Sequence, residues 1–167
     1  MAFCYRITGL MSGSSLDGVD LAACEFIRRG ERWEYRILAA ETTPYPEQLR
    51  EKLQEASQWS GARIKDLDLE LGTYFAKLLN DFHSRYRLKP ALISSHGHTI
   101  LHDPGSGVTF QAGNGERMAR YTGISVVNDF RSEDVAQGGQ GAPLVPVGDR
   151  MLFGAYDGCL NLGGFSN

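Results

Sequence analysis

Ile7-Thr8-Gly9-Leu10-Met11-Ser12-Gly13-Ser14-Ser15-Leu16-Asp17-Gly18-Val19-Asp20 is an apolar run that breaks into small residues, crosses a turn and resumes as Leu21-Ala22-Ala23-Cys24-Glu25-Phe26. The pattern predicts two strands joined by a loop of Gly and Ser. Glycines there allow positive φ and let a ligand approach the main chain closely. The hydroxyls and exposed N–H groups of such a turn can surround an anion. Asp17 and Asp20 beside it suit a phosphate chelated to a divalent cation. Small residues alone also build a tight hairpin with no ligand, so the rest of the chain has to decide between the two.

Working outward, strand-like runs cover about 4–10, 19–28 and 33–42, with the turn Arg29-Gly30-Glu31 between the second and third. This predicts an antiparallel meander. Thr43-Pro44-Tyr45-Pro46 ends it; Pro46 suits a first helical position, and Leu49, Leu53 and Ala56 give the short helix that follows one apolar face. A longer helix is marked by Ile64, Leu67, Leu71, Phe75, Leu78, Phe82 and Tyr86, spaced by threes and fours. That stripe is core packing, and Lys65, Asp66, Asp68, Glu70, Lys77, Asp81 and Arg85 form the solvated side.

After Pro90, Ala91–Ser95 reads as a short strand leading into His96-Gly97-His98-Thr99, and 108–111 as a further small strand. Asn114 can cap a helix that Gly123 ends. The β-branched run 124–127 then flows into Asn128-Asp129-Phe130-Arg131. The order β-β-β-α-α-β-(β)-α-β predicts an α/β fold: a ribonuclease-H-like mixed sheet packed by helices, the half-unit of sugar kinases and actin-like ATPases. Open α/β sheets bind ligands beyond the carboxyl ends of their strands. The Gly/Ser loop, 96–99 and 128–131 all follow predicted strands in this way.

The 167 residues suffice for one domain with a real core, and charged and apolar fractions are ordinary for a globular protein. A net charge of −3 with interspersed signs argues against nucleic acid or an anionic membrane as main partner. No apolar run approaches the roughly 20 residues of a membrane span, and 1–6 lack a secretory pattern. Cys4, Cys24 and Cys159 stand in apolar contexts and read as buried free thiols of a cytoplasmic protein. Tyr156–Asn167 reads as a strand entering a Gly-rich turn, an ending that predicts an N-terminal domain (1–167) whose second domain lies beyond.

Several residues can carry chemistry. Asp129, at a strand end, can orient a hydroxyl or water and accept its proton. Arg131 can keep Asp129 ionised or contact an anionic substrate group. A solvent-exposed turn salt bridge is the plainer alternative. The loop Gly138–Pro146 can shape a pocket or act as a hinge beside these groups. His96, His98 and His102 invite a metal-dependent hydrolase reading, which requires a bend at Gly97 to bring the first two imidazoles onto one ion. No cysteine cluster or helical His-Glu-x-x-His supports zinc, and orientation of substrate or capping of backbone groups explains these histidines more simply.

Together, Met11–Asp20, Ser95–Thr99 and the long run Asn128–Pro146, with the closing Asn161-Leu162-Gly163-Gly164, resemble the anhydro-N-acetylmuramic acid kinase family of the sugar kinase/actin-like superfamily. The resemblance implies that Gly13, Ser14, Ser15, Leu16, Asp17, Gly18, Val19 and Asp20 form the ATP phosphate loop, with Mg²⁺ as companion ion. It implies Asp129 as catalytic base aided by Arg131, and sugar contacts at His98, Thr99, Asn128 and Asp134. Position 14 is Ser where the family often has Thr, and position 98 is His where Gln is commoner. The family's reaction opens the 1,6-anhydro ring of the amino sugar and phosphorylates the freed O6. It closes two similar domains over ATP and sugar, so the chain alone is expected to be inert. A non-catalytic ATP-binding module of the same fold is the further alternative, and an apolar face left open by a missing partner domain could drive homodimerisation.

Overall fold

The β-branched and small residues of the N-terminal third form three long strands in the computed structural model, which describes residues 2–160. β1 (Ala2–Ser12), β2 (Val19–Arg29) and β3 (Arg32–Thr43) make the antiparallel meander anticipated from the sequence. Two helices follow, α1 (Glu47–Glu55) and α2 (Gly61–Arg85). β4 (Leu92–Asp103) then runs parallel to β1, and β5 (Val108–Ala112) folds back antiparallel on its far half. α3 (Gly115–Thr122) leads to β6 (Val126–Asn128), which lies parallel to the near half of β4. α4 (Ser132–Ala136) and α5 (Val145–Leu152) complete the described chain.

The strand order β3-β2-β1-β4-β5, with β6 also on β4, is the mixed ribonuclease-H-like sheet that the element order predicts. In β1 and β2, Thr8, Leu10 and Ser12 alternate with Gly9 and Met11, and Val19, Leu21 and Ala23 alternate with Asp20 and Ala22. The first set is buried against α1 and α2, where Leu67, Leu71, Phe75 and Phe82 fill the core. The second set faces a side of the sheet that is only partly covered, by α5 crossing β3 with Phe153 edge-on to Tyr35. Leu10 near the end of β1 and Asn128 at the end of β6 lie level on either side of Ser95 of β4: Leu10 pairs with Ser95, and Ser95 with Asn128.

Several expectations are corrected. The strand expected to stop at Ser95 continues through His96–Thr99 to Asp103, because Gly97, at φ 71, kinks it without ending it and hands its pairing to β5. The segment read as a Gly/Pro loop becomes α5 from Val145 onward, with Pro146 in its first turn, where a missing N–H costs nothing. Asp68 does not face solvent. It is 4% exposed and accepts hydrogen bonds from Gly113 N (3.0 Å), Asn114 Nδ2 (3.1 Å) and Lys65 Nζ (2.7 Å), fastening α2 to the entry of α3. Cys4 and Cys159 are exposed and Cys24 half-buried; the three are free thiols, but not buried ones. Residues 156–160 are not strand, and the remainder of that expected element, 161–167, lies outside the described residues. No helix among the described residues is long and apolar enough to cross a membrane.

Candidate active site

The carboxyl end of β1, the stretch of β4 before its kink at Gly97 and the residues that follow β6 line a cleft of about 640 Å³ on the partly covered face of the sheet. Its floor is Gly9, Ala22 and Ser94, residues so small that the main chain of the sheet is nearly bare there. Met11, Asp20, His96 and Arg131 stand at its sides, and Ala142–Val145 closes it opposite the floor. Met11 and Asp20 flank the Gly/Ser loop, so the cleft lies at the foot of that loop.

The loop itself begins with a turn in which Leu16 N donates to the Gly13 carbonyl (3.2 Å). Ser14, Ser15 and Asp17 are exposed, and Ser15 Oγ donates to Asp17 (2.9 Å). Asp20 accepts a hydrogen bond from Thr42 Oγ1 (2.5 Å). The side chain of Val19 is wholly buried and belongs to the core, while Leu16 is half-buried against it. Leu16 holds φ 58 and Asp129 holds φ 57. Left-handed backbone at residues other than glycine carries strain that persists where the surroundings over-determine it, and such positions gather at functional sites.

Asp129 is exposed and directly precedes Phe130, a lining residue of the cleft. Its Oδ1 accepts from Ser132 N (3.3 Å), which steadies the start of α4. Arg131 does not pair with it. Arg131 Nε donates to His96 Nε2 (3.0 Å) and Nη1 donates to the Gly141 carbonyl. Because arginine only donates, His96 Nε2 must accept, so the ring's proton sits on Nδ1 and is donated to the Gly97 carbonyl (3.0 Å). Burial holds this imidazole below its ordinary pKa, and the Arg131 charge works in the same direction against the Gly97 carbonyl. Arg131 therefore clasps β4 to the Gly138–Pro143 loop, whose Gly141 N in turn donates to Asp134 (2.6 Å).

The histidines diverge. Gly97 turns His96 toward Arg131 and sends His98 to the opposite face, where its Nδ1 meets Ser12 Oγ at 2.7 Å; His102 is exposed beside Thr109. No group of three His, Cys, Asp or Glu able to hold a metal ion stands among the described residues, and His96, His98 and His102 do not converge on one point. Of the expected sugar contacts, His98 is 4% exposed and lies behind the cleft, Thr99 is half-buried one residue further along β4, Asn128 is exposed at the end of β6, and Asp134 holds its own loop. The sequence offers His96 either a metal or a role in orienting substrate or capping backbone groups, but does not give Arg131 as its partner, and it does not single out Ser12 or Tyr45. Nothing local marks Ser12 and Tyr45, since their hydroxyls meet across 33 residues.

Burial, with a smaller push from His96, brings the His98 pKa down to about 4 from an ordinary 6.5. The native state then binds fewer protons than the unfolded chain between those values, so stability rises with pH across that window. Acidification from pH 7 through about pH 4 should remove up to about 3 kcal/mol through this one group. His83, buried against Thr8, and His96 are shifted in the same direction and add to the loss. Urea unfolding at several pH values checks this: His98→Gln should flatten the slope between pH 4 and 6.5, and an unchanged slope would contradict the assignment.

The family model described as anhydro-N-acetylmuramic acid kinase matches residues 5–167. A protein of that name from Pseudomonas putida is 44% identical over 169 residues, which cover 95% of this chain and 45% of the relative. One from Mannheimia succiniciproducens is 40% identical over 170 residues (95% and 44%), and one from Picosynechococcus 40% over 171 residues (97% and 45%). The chain spans about half the length of the curated relatives it matches.

Proposed function

The chain belongs to the anhydro-N-acetylmuramic acid kinase family, and from that premise we propose that it is the N-terminal half of an ATP-dependent sugar kinase. The substrate is anhydro-N-acetylmuramic acid, and the products are N-acetylmuramic acid 6-phosphate and ADP. The observation that carries this reading is one cleft lined by Met11 and Asp20, which flank the Gly/Ser loop, and by Phe130 and Arg131, which directly follow Asp129, with Leu10 and Asn128 level on either side of Ser95.

In this reading the Gly13–Asp20 loop receives the phosphates of ATP through its backbone N–H groups and the hydroxyls of Ser14 and Ser15. Asp20 is the carboxylate on the cleft that a phosphate-bound Mg²⁺ would meet; one or two carboxylates suffice for an ion held mainly by phosphate oxygens. Such an ion supplies charge neutralisation. Asp129 takes a proton from the water that attacks the anomeric carbon. The anomeric C–O6 bond breaks, and the departing O6 attacks the γ-phosphorus, whose bond to the β–γ bridging oxygen breaks to release ADP, so no separate general acid is needed. Arg131, held in place through Nε and Nη1, uses its remaining N–H groups for the lactyl carboxylate of the sugar. Thr99 and Asn128 are further candidates for sugar contacts, and Asp134 supports them by shaping the loop at Gly141.

The second half of the protein supplies the adenosine pocket and the opposing wall, and closure of the halves aligns the reactants. Tyr35 and Ile37, exposed on the partly covered face of the sheet, belong to surface available to it; without that half, the chain would self-associate there. The test is a coupled assay for ADP with anhydro-N-acetylmuramic acid. The complete two-domain protein should form ADP and phosphorylated sugar in equal amounts, and residues 1–167 alone should not turn over. ADP formation that ignores the sugar, or sustained turnover by 1–167, would contradict this reading.

A further inference from the structure

Behind the Gly/Ser loop, and outside the cleft, lies a buried polar chain that the reaction as described does not use. Ser12, the last residue of β1 and 1% exposed, places its Oγ 2.5 Å from Tyr45 Oη and 2.7 Å from His98 Nδ1. One assignment of hydrogens uses both hydroxyl protons: Tyr45 donates to Ser12, and Ser12 donates to His98. The neutral ring this requires is the form that burial favours for His98, and burial likewise pushes the Tyr45 hydroxyl up to about 12, so both groups stay uncharged at neutral pH. Tyr45 is itself fixed from outside the sheet, its ring stacked on Tyr74 of α2 with centroids 5.9 Å apart.

The end of β3, which leads into Tyr45, grips the other end of the loop. A Cβ at Gly18 would sit 2.7 Å from the Thr43 carbonyl oxygen, so that backbone packs directly on the end of β3, and Thr42 donates to Asp20. Thus residues 42–45 hold the loop where it leaves β1, through Tyr45 and Ser12, and where it enters β2, through Thr43 and Thr42. Between these two anchors stands the left-handed Leu16, a conformation a leucine keeps only when its surroundings impose it.

We propose that Tyr45, Ser12 and His98 are positioning residues: a buried brace that keeps the Gly13–Gly18 turn in the one shape able to receive phosphate. The inference rests on the reading of this loop as the phosphate site, and it adds a role for residues that never touch ATP. Tyr45→Phe removes only the hydroxyl and keeps the stack on Tyr74; His98→Leu removes the acceptor; His98→Gln keeps one.

The experiment uses the complete two-domain protein and reads two quantities. Amide exchange at Leu16, whose N–H is bonded within the turn, should accelerate about five- to tenfold in Tyr45→Phe and in His98→Leu, with the helices unchanged. KM for ATP should rise by a similar factor with a smaller change in kcat, and His98→Gln should recover most of both. Wild-type exchange at Leu16 in Tyr45→Phe and His98→Leu overturns the brace. Acceleration spread evenly over the protein overturns it too, because that reports general destabilisation. The exchange measurement needs no turnover. A wild-type protein that forms no ADP therefore refutes the kinase reading, while exchange at Leu16 still decides the brace.

Discussion

Asp129→Asn in the complete protein should lower kcat by about three orders of magnitude and leave ATP affinity almost unchanged if Asp129 is the proposed base, within the range of about 10²–10⁴ that a positioned general base contributes. Asparagine is the informative replacement because it isolates the proton acceptor. It tolerates the left-handed backbone at φ 57 at least as well as aspartate, and its side-chain oxygen can still accept the Ser132 N–H. The loop from β6 into α4 should therefore keep its shape, and what disappears is the carboxylate proposed to take the proton from water. ATP, proposed to sit at the Gly13–Asp20 loop, should bind with near wild-type affinity. Steady-state kinetics with calorimetric titration of ATP separates the two effects. Near-normal turnover would remove Asp129 from the mechanism.

Gly97→Ala should be the most damaging small change to the fold. The residue sits at φ 71, where an L side chain costs about 1–2 kcal/mol. The new Cβ would stand 2.5 Å from the Ala112 carbonyl oxygen, a backbone atom that can retreat only by opening the β4–β5 pairing. A total loss of about 2–4 kcal/mol is expected, or about 10 °C in Tm for a domain of this size. Gly30→Ala is the control. Its φ is 64 but nothing lies within 4 Å, so it carries the conformational cost alone. Thermal unfolding of the two variants measures the steric part by difference, and equal shifts would show that the close approach at Ala112 is relieved without cost. The kink also sends His96 and His98 to opposite faces of the sheet. Any surviving Gly97→Ala protein should therefore lose the Arg131 clasp and the link to Ser12 together.

The meander and both early helices were legible because their periodicities are long and uninterrupted: Ile64 to Phe82 keeps one face over most of α2, and Asn114 and Gly123 bracket α3 as capping chemistry requires. The ends of β1 and β6 were legible for a related reason, since a strand that stops in small or polar residues marks its own boundary. What escaped was the consequence of contacts remote in sequence. β4 seemed to end at Ser95 because Gly97 breaks the alternation, and only pairing with β5 shows that the strand continues. Asp68 matches its charged neighbours on the outer side of the helix until Gly113 and Asn114 arrive to cover it. α5 hides behind Gly and Pro because eight residues give too few turns for a periodicity to declare itself. Arg131 beside Asp129 suggested an ion pair, yet its partners are His96 and Gly141, one from another strand and one from ten residues along.

A floor built of Gly9, Ala22 and Ser94 leaves the two sides of one sheet with opposite vulnerabilities. On the helix side, trimming a side chain hollows the interior and lowers stability. On the cleft side, the hazard is growth: a Cβ added at Gly9 comes no nearer than 3.7 Å to its neighbours, so the chain can accept it, yet every added atom occupies room meant for a ligand. Variants that stay folded but have lost their work should therefore cluster on one surface of the sheet, and those that fall apart on the other.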